Sequence, residues 1–388
     1  MSEQTPAETE QQPKQKGSRR QSVFNALYPP LLTVVLGAAM FGTAAAILPH
    51  VKRTRTAAPA AQTVSAADST AAAAEPAFSE TTATVTEITA PEPEPVAAEA
   101  VDSSLVIARN AVLLKLNDTG AVTVFDRGAD EKIYPASMTK IMTLLTFLDL
   151  VPAEKLDDVI QMDANVLASQ QAQYAYVAGF AAGEDCKIRD LVFAMMLPSG
   201  ADAAVMLATY AAGSEEAFVA KMNEKAQAMG LTQTHFVNCT GLHNDAHTSS
   251  VREIALILTE ALKDPFCKEA MSTKKHTTAA TPQHPNGIEL VSTTLSRLVG
   301  NELEQMSVPL HLIGGKTGFT NPAGQCLATW AQDAQLNTYI CVVAGSTTNE
   351  PLDAMGDTLT LYQLISEPAA TISRIRPQAA NLPDYVHN

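Results

Sequence analysis

Strand-forming sequence opens and closes the globular part of this chain, and helix-forming sequence fills the stretch between. Near its start, Val112, Leu114 and Leu116, then Val122, Val124 and Phe125, make two apolar runs on either side of Asn117-Asp-Thr-Gly120. That pattern predicts a β-hairpin with a four-residue turn. Near its end, residues 325–331 and 338–344 are strand-like again and flank a polar turn. Between about residues 153 and 266 the spacing is helical. Ser214 can cap one such helix, with Phe218, Met222, Ala226 and Met229 on a single face and Gly230 at its end. A final helix is expected over about residues 352–365. Strands at both ends of a helical middle predict an α+β domain, its sheet closed by the first and last strands and its insertion forming a second, helical lobe.

The sequence before this domain is of a different kind. Residues 1–25 are polar, with Arg19 and Arg20 close to their end, and residues 26–48 then carry no charge. Such a run can span a bilayer as a transmembrane anchor, or serve as a signal segment, and both readings stay open. Lys52, Arg53 and Arg55 follow it, so basic residues flank both ends. Residues 49–102 form an Ala/Pro/Glu/Thr-rich linker, expected to be disordered. The catalytic domain is assigned to residues 103–366, and residues 367–388 are expected to be a loosely ordered tail.

A net charge of −15 argues against nucleic-acid binding. The five cysteines, Cys186, Cys239, Cys267, Cys326 and Cys341, form no C-x-x-C pair. Cys326 and Cys341 fall in strand-like runs and read as small core residues, although a disulfide is not excluded.

Ser137-x-x-Lys140 carries the chemistry. A serine and a lysine three apart on a helix share one face, which sets a nucleophile beside a base. The sequence that follows is strongly apolar and predicts a buried helix with Ser137 at its N-terminal end. The signal gains specificity from Lys316-Thr317-Gly318 far downstream. Tyr134-Pro-Ala-Ser-Met-Thr-Lys140 resembles the nucleophile motif of penicillin-binding proteins. Ser199-Gly-Ala201 resembles their second motif and Lys316-Thr317-Gly318 their third. With His235-Phe-Val-Asn238, Gly241-Leu-His243 and Ser272-Thr-Lys274, residues 104–366 are similar to the serine-type D-alanyl-D-alanine carboxypeptidases of low molecular weight.

That resemblance implies a β-lactamase/DD-peptidase-like fold, an antiparallel sheet flanked by helices. It implies cleavage of the terminal D-alanine from a peptidoglycan stem peptide through an acyl-enzyme on Ser137, and inhibition by β-lactams. Lys140 would be the general base, or an electrostatic support. Lys316 is a possible second cation lowering its proton affinity. Ser199 would relay a proton, although alone it would read as a helix cap. Lys316 and Thr317, on an expected edge strand, would hold anionic groups and the substrate carboxylate. Gly318 would let the acyl chain approach, and the N–H groups of Ser137 and Phe319 would form the oxyanion hole. The resemblance implies no metal or cofactor, and His235, His243, Asp245 and His247 match no metal-ligand spacing. With residues 26–48 read as an anchor, the protein is expected at the cell membrane with the domain outside the cytoplasm. Two departures stand out. Ala201 replaces the usual asparagine, and no arginine lies between Gly345 and Asp353 to meet the carboxylate. These keep open a weakly active or non-catalytic penicillin-binding homologue in cell-wall assembly. A serine β-lactamase shares the motif set, but no segment supplies its extra deacylating glutamate.

Overall fold

The computed structural model describes residues 100–102, 104–118, 120–297, 303, 306–347 and 352–377. The polar N-terminus, the apolar segment 26–48 and nearly all of the linker lie outside these residues. Among the described residues no helix is long and apolar enough to cross a membrane.

The domain begins with the expected hairpin, β1 (Asn110–Asn117) and β2 (Gly120–Arg127). Asn117 already pairs with Gly120, so the turn is shorter than the four residues expected. A 3₁₀ turn over Ala136–Met138 leads into α1 (Thr139–Leu150). The helical middle follows, with β3 (Val159–Gln161), α2 (Ala164–Ala172), β4 (Asp185–Lys187), α3 (Ile188–Met196), α4 (Ala201–Ala212), α5 (Glu215–Ala228), α6 (Val251–Ala261) and α7 (Pro265–Ser272). A small hairpin, β5 (Lys275–Thr277) with β6 (Glu289–Val291), precedes β7 (His311–Thr320), β8 (Gly324–Gln332), β9 (Thr338–Ser346) and α8 (Asp353–Tyr362).

Five strands form one antiparallel sheet in the order β2-β1-β9-β8-β7. The first strand pairs with the last, Asn110 opposite Ala344, as the strand–helix–strand order predicts. That closure leaves β7 at the sheet edge.

Both faces of the sheet are covered. Along β9, Ile340, Val342 and Ala344 join the core shared with α1, α3 and α6, while Tyr339, Cys341 and Val343 join a second core under α8. A strand buried on both faces reads as a continuous apolar run, which is why residues 338–344 look strand-like without alternation. α1 is buried from Thr139 to Phe147, and a helix apolar all round belongs inside a protein. α5 is amphipathic, as its spacing predicts: Ser214 Oγ accepts from Ala217 N at 3.1 Å, and Phe218, Val219, Met222 and Ala226 face inward.

Residues 367–377, expected to be loosely ordered, are tied down. Arg374 Nη1 donates to Leu105 O at 2.8 Å and to Asp357 Oδ1, and Ile375 N donates to Thr360 Oγ1 at 3.0 Å. Asp357, fully buried, also accepts from Ile107 N and Ser346 Oγ. One carboxylate thus joins the start of the domain, the end of β9 and the tail.

Candidate active site

Ser137 sits in the 3₁₀ turn before α1, and its neighbour Ala136 has φ +47°. A residue with a β carbon is uncommon in that region, and such strain clusters where the surrounding structure fixes a functional geometry. Lys140 Nζ donates to Ser137 Oγ at 3.0 Å and to the Thr240 carbonyl at 2.6 Å. The serine is half-buried and the lysine fully buried.

Burial pushes the Lys140 ammonium down to about 8, opposed by negative charge at Cys239 and Asp202. Cys239 is itself driven well above the usual thiol range by burial and by Glu215. It is therefore neutral near pH 7 and exerts no such pull there, which leaves Asp202 as the opposing group. Desolvation is the cause that lowers the proton affinity of Lys140, and Lys316, read as a possible second cation, bonds Ser199 Oγ and Thr317 O.

The oxygen that holds Lys140 comes from a tight loop after α5. Asn238 Oδ1 accepts from Gly241 N at 2.7 Å and from Thr240 N at 3.2 Å, and Thr143 Oγ1 of α1 donates to Cys239 O at 2.7 Å. Gly241 has φ +82°, and a β carbon there would stand 1.9 Å from Ala136 O and 2.9 Å from Ser137 N. Only glycine lets this loop lie against the peptide that carries the candidate nucleophile.

The other two motifs meet across the sheet edge. Fully buried Lys316 donates from Nζ to Ser199 Oγ at 2.9 Å and to Thr317 O at 2.9 Å. Ser199 has φ +74° and is not a cap; Gly200 is the N-cap residue of α4. Thr317 Oγ1 lies 2.7 Å from Thr293 Oγ1. Gly318 serves a packing need not anticipated from sequence. A β carbon there would meet Pro135 O and Ser137 N at 3.1 Å, so the small residue admits the chain's own nucleophile turn. Phe319 beside it is half exposed, at 52%. The structure thus brings Ser137, Lys140, Gly318, Lys316, Thr317 and Ser199 into one continuous set.

Ala201 is buried, with its N–H on Tyr176 O at 2.8 Å. Its place in the second motif offers no side-chain amide. Asp202 next to it accepts twice from Ala178 N, at 3.0 and 3.1 Å, which pins the segment before β4 to the start of α4. Burial raises the Asp202 carboxyl, against the pull of the Ala178 and Ala203 N–H groups and Lys140.

Thr240, Thr293, Asp202 and His247 were not marked as site residues by sequence. Thr293 lies in no motif, and Thr240 acts through its carbonyl, which every residue type has; neither gives a compositional signal. The Gly241 that confines Thr240 was visible. His243 Nε2 lies 3.3 Å from Asp245 Oδ1, whereas His247 is engaged elsewhere, by Thr139 and Val237 N. Among the described residues no three His, Cys, Asp or Glu side chains are grouped to hold a metal. All five cysteines are buried and free.

Comparison with known proteins gives the family. The family model for D-alanyl-D-alanine carboxypeptidase, peptidase S11, matches residues 97–348. A D-alanyl-D-alanine carboxypeptidase of Bacillus subtilis is 33% identical over 248 residues, covering 63% of this chain and 59% of that protein. One from Escherichia coli is 32% identical over 258 residues, covering 65% and 60%. The chain therefore spans about 60% of the length of these curated relatives. The crystal structure of the Streptomyces K15 DD-transpeptidase matches with a TM-score of 0.57 at 27% identity, over 67% of this chain and 98% of that one. A strand–helix–strand domain with three motifs meeting at one sheet edge, matched by the family model over most of its length, belongs to the D-alanyl-D-alanine carboxypeptidase family of serine peptidases, peptidase S11.

Proposed function

We propose that this chain is a serine D,D-carboxypeptidase that removes the terminal D-alanine from peptidoglycan stem peptides and is acylated by β-lactams at Ser137. The observation that carries it is the double pairing of serine with buried lysine, Ser137 with Lys140 at 3.0 Å and Ser199 with Lys316 at 2.9 Å. Once neutral, the Lys140 amine keeps an N–H on the Thr240 carbonyl and turns its lone pair to the Ser137 hydroxyl. Ser137 Oγ attacks the carbonyl between the two D-alanines as its proton passes to Lys140. The N–H groups of Ser137 and Phe319 take the developing oxyanion. Ser199 gives its proton to the departing amine and takes one from the Lys316 ammonium bonded to it, and the released product is D-alanine. Water then cleaves the Ser137 ester, its proton returning through Ser199 to Lys316 while Lys140 gives its proton back to the Ser137 oxygen. Thr317 and Lys316 meet the substrate carboxylate. We further propose that residues 26–48 hold the protein at the cell membrane with this domain outside the cytoplasm; its partners there are the stem peptide and the membrane.

The test is D-alanine release from a diacyl-D-Ala-D-Ala peptide together with mass-spectrometric mapping of the penicillin adduct. Wild-type protein is expected to release D-alanine and to carry the adduct on Ser137, and Ser137→Ala is expected to do neither. Release that survives Ser137→Ala would refute the nucleophile assignment. Ala201 favours a second reading, a penicillin-binding homologue with little turnover. Its mark would be an adduct on Ser137 without measurable release.

A further inference from the structure

His247 is buried 108 residues from Thr139 in sequence, yet its Nε2 lies 2.8 Å from Thr139 Oγ1, and its Nδ1 lies 3.1 Å from Val237 N. The backbone N–H of Val237 can only donate, so Nδ1 must be the unprotonated nitrogen. In a neutral ring the proton is then on Nε2, which donates to the Thr139 hydroxyl. Burial, with the neighbouring His235, His243 and Lys140, pushes His247 down to about 4, so this tautomer persists across the neutral range.

Both ends of this bridge matter for Lys140. Thr139 is the residue before it on α1. Val237 begins the segment that runs through Asn238 to the Thr240 carbonyl, which holds the Lys140 amine at 2.6 Å. Resting on the function proposed above, we infer that His247 is a positioning residue: it clamps the Thr240 loop to the start of α1 and so holds Lys140 in place to act as base on Ser137. The groups facing Lys140 are Asp202 from α4 and Cys239 and His247 from the loop side, while Lys316 stands on β7 bonded to Ser199.

Two isosteres separate the two contacts. Asparagine can reach Val237 N with its oxygen, at the position of Nδ1, but leaves Thr139 without a donor. Glutamine can place its amide nitrogen at the position of Nε2 and keep Thr139. The readout is the second-order rate of Ser137 acylation by a labelled penicillin, measured from pH 6 to 10 on the full chain. His247→Asn is expected to lose about 10–100-fold, as small misplacements of reacting groups do. Its acid limb is expected to move above the wild-type midpoint, because a loosened loop admits water and restores the proton affinity of Lys140. His247→Gln breaks the clamp at its other end, leaving Val237 N without an acceptor, and is expected to lose about tenfold as well. A folded His247→Asn with wild-type rate and wild-type limb would overturn the inference. If that variant does not fold, Thr139→Val removes the same hydrogen bond from the other end while keeping the ring. It is expected to lose about tenfold with the same shift of the limb, and an unchanged rate there overturns the inference equally. Wild-type protein that shows no acylation at Ser137 refutes the proposed function and this inference with it. Acylated wild-type protein with indifferent variants refutes the inference alone.

Discussion

The site contains two serine–lysine pairs of nearly equal length, built in different ways. Ser137 and Lys140 are three residues apart on one turn of chain, and their 3.0 Å contact follows from helical geometry. Ser199 and Lys316 are 117 residues apart, and their 2.9 Å contact exists only because β7 closes against the helical lobe. The surroundings differ as well. Lys140 is held by a carbonyl from a separate loop, whereas Lys316 also bonds the carbonyl of its own neighbour, Thr317. The local pair is secured by sequence spacing and tuned from outside. The distant pair depends on packing for its existence.

Removing the local base should give the largest effect. Lys140→Met keeps the length and bulk of the side chain without the amine. It is expected to lower Ser137 acylation by about 10²–10⁴-fold, the usual worth of a positioned general base. In the wild type, acylation should fall as the pH drops through about 8, since the neutral amine is the active form. A pH–rate profile flat between pH 6 and 9 would exclude Lys140 as the base. The same shift bears on stability. With a folded value near 8 and an unfolded value near 10.5, the unfolded chain binds more protons between them, so stability from this group rises with pH across that window. The melting temperature of Lys140→Met relative to wild type should therefore be most favourable at pH 7.5 and decline towards pH 10. A difference independent of pH would show that the lysine is not desolvated in solution.

The two pairs were unequally legible. Helical spacing made Ser137 and Lys140 a candidate pair before any fold was known. The strand–helix–strand order also gave the closure of β1 on β9, because two terminal strand patterns need each other when only helices lie between. Resemblance singled out Ser199 and Lys316 separately, and their pairing was not anticipated, since no local rule joins residues 117 apart. The packing need at Gly318 went unseen for a similar cause. Sequence shows that a position is small without showing what presses on it, and here Pro135 O and Ser137 N press on it, so the need arises within the protein. The Thr240 carbonyl and Thr293 were invisible because a backbone oxygen and a lone threonine leave no pattern. The ordering of residues 367–377 depends on Arg374 finding buried Asp357, a match between side chains that hydropathy does not record.

Gly241→Ala attacks the local pair without touching either member. The new methyl would fall 1.9 Å from Ala136 O, and the left-handed backbone adds strain of about 1–3 kcal/mol. The loop must retreat and take the Thr240 oxygen with it. Acylation is expected to fall about 10²-fold with a lower melting temperature, while β7 and its Ser199 contact stay in place. Wild-type kinetics in this variant would mean that the Thr240 carbonyl does not position Lys140.

Ala201→Asn should give the smallest effect, and it asks what the second motif lacks. Lys140 already has two partners, Ser137 Oγ and the Thr240 carbonyl, so an added amide has little to contribute to the base. What Ala201 cannot offer is a hydrogen bond to the substrate backbone. One such bond is worth about 0.5–1.5 kcal/mol net, or up to about tenfold in binding. Ala201→Asn is therefore expected to lower KM for a diacyl-D-Ala-D-Ala peptide by up to about tenfold and to leave kcat within about threefold. A rise in kcat with KM unchanged would mean that the natural alanine weakens the base, and that the pair built by helical spacing is less complete than its 3.0 Å contact suggests.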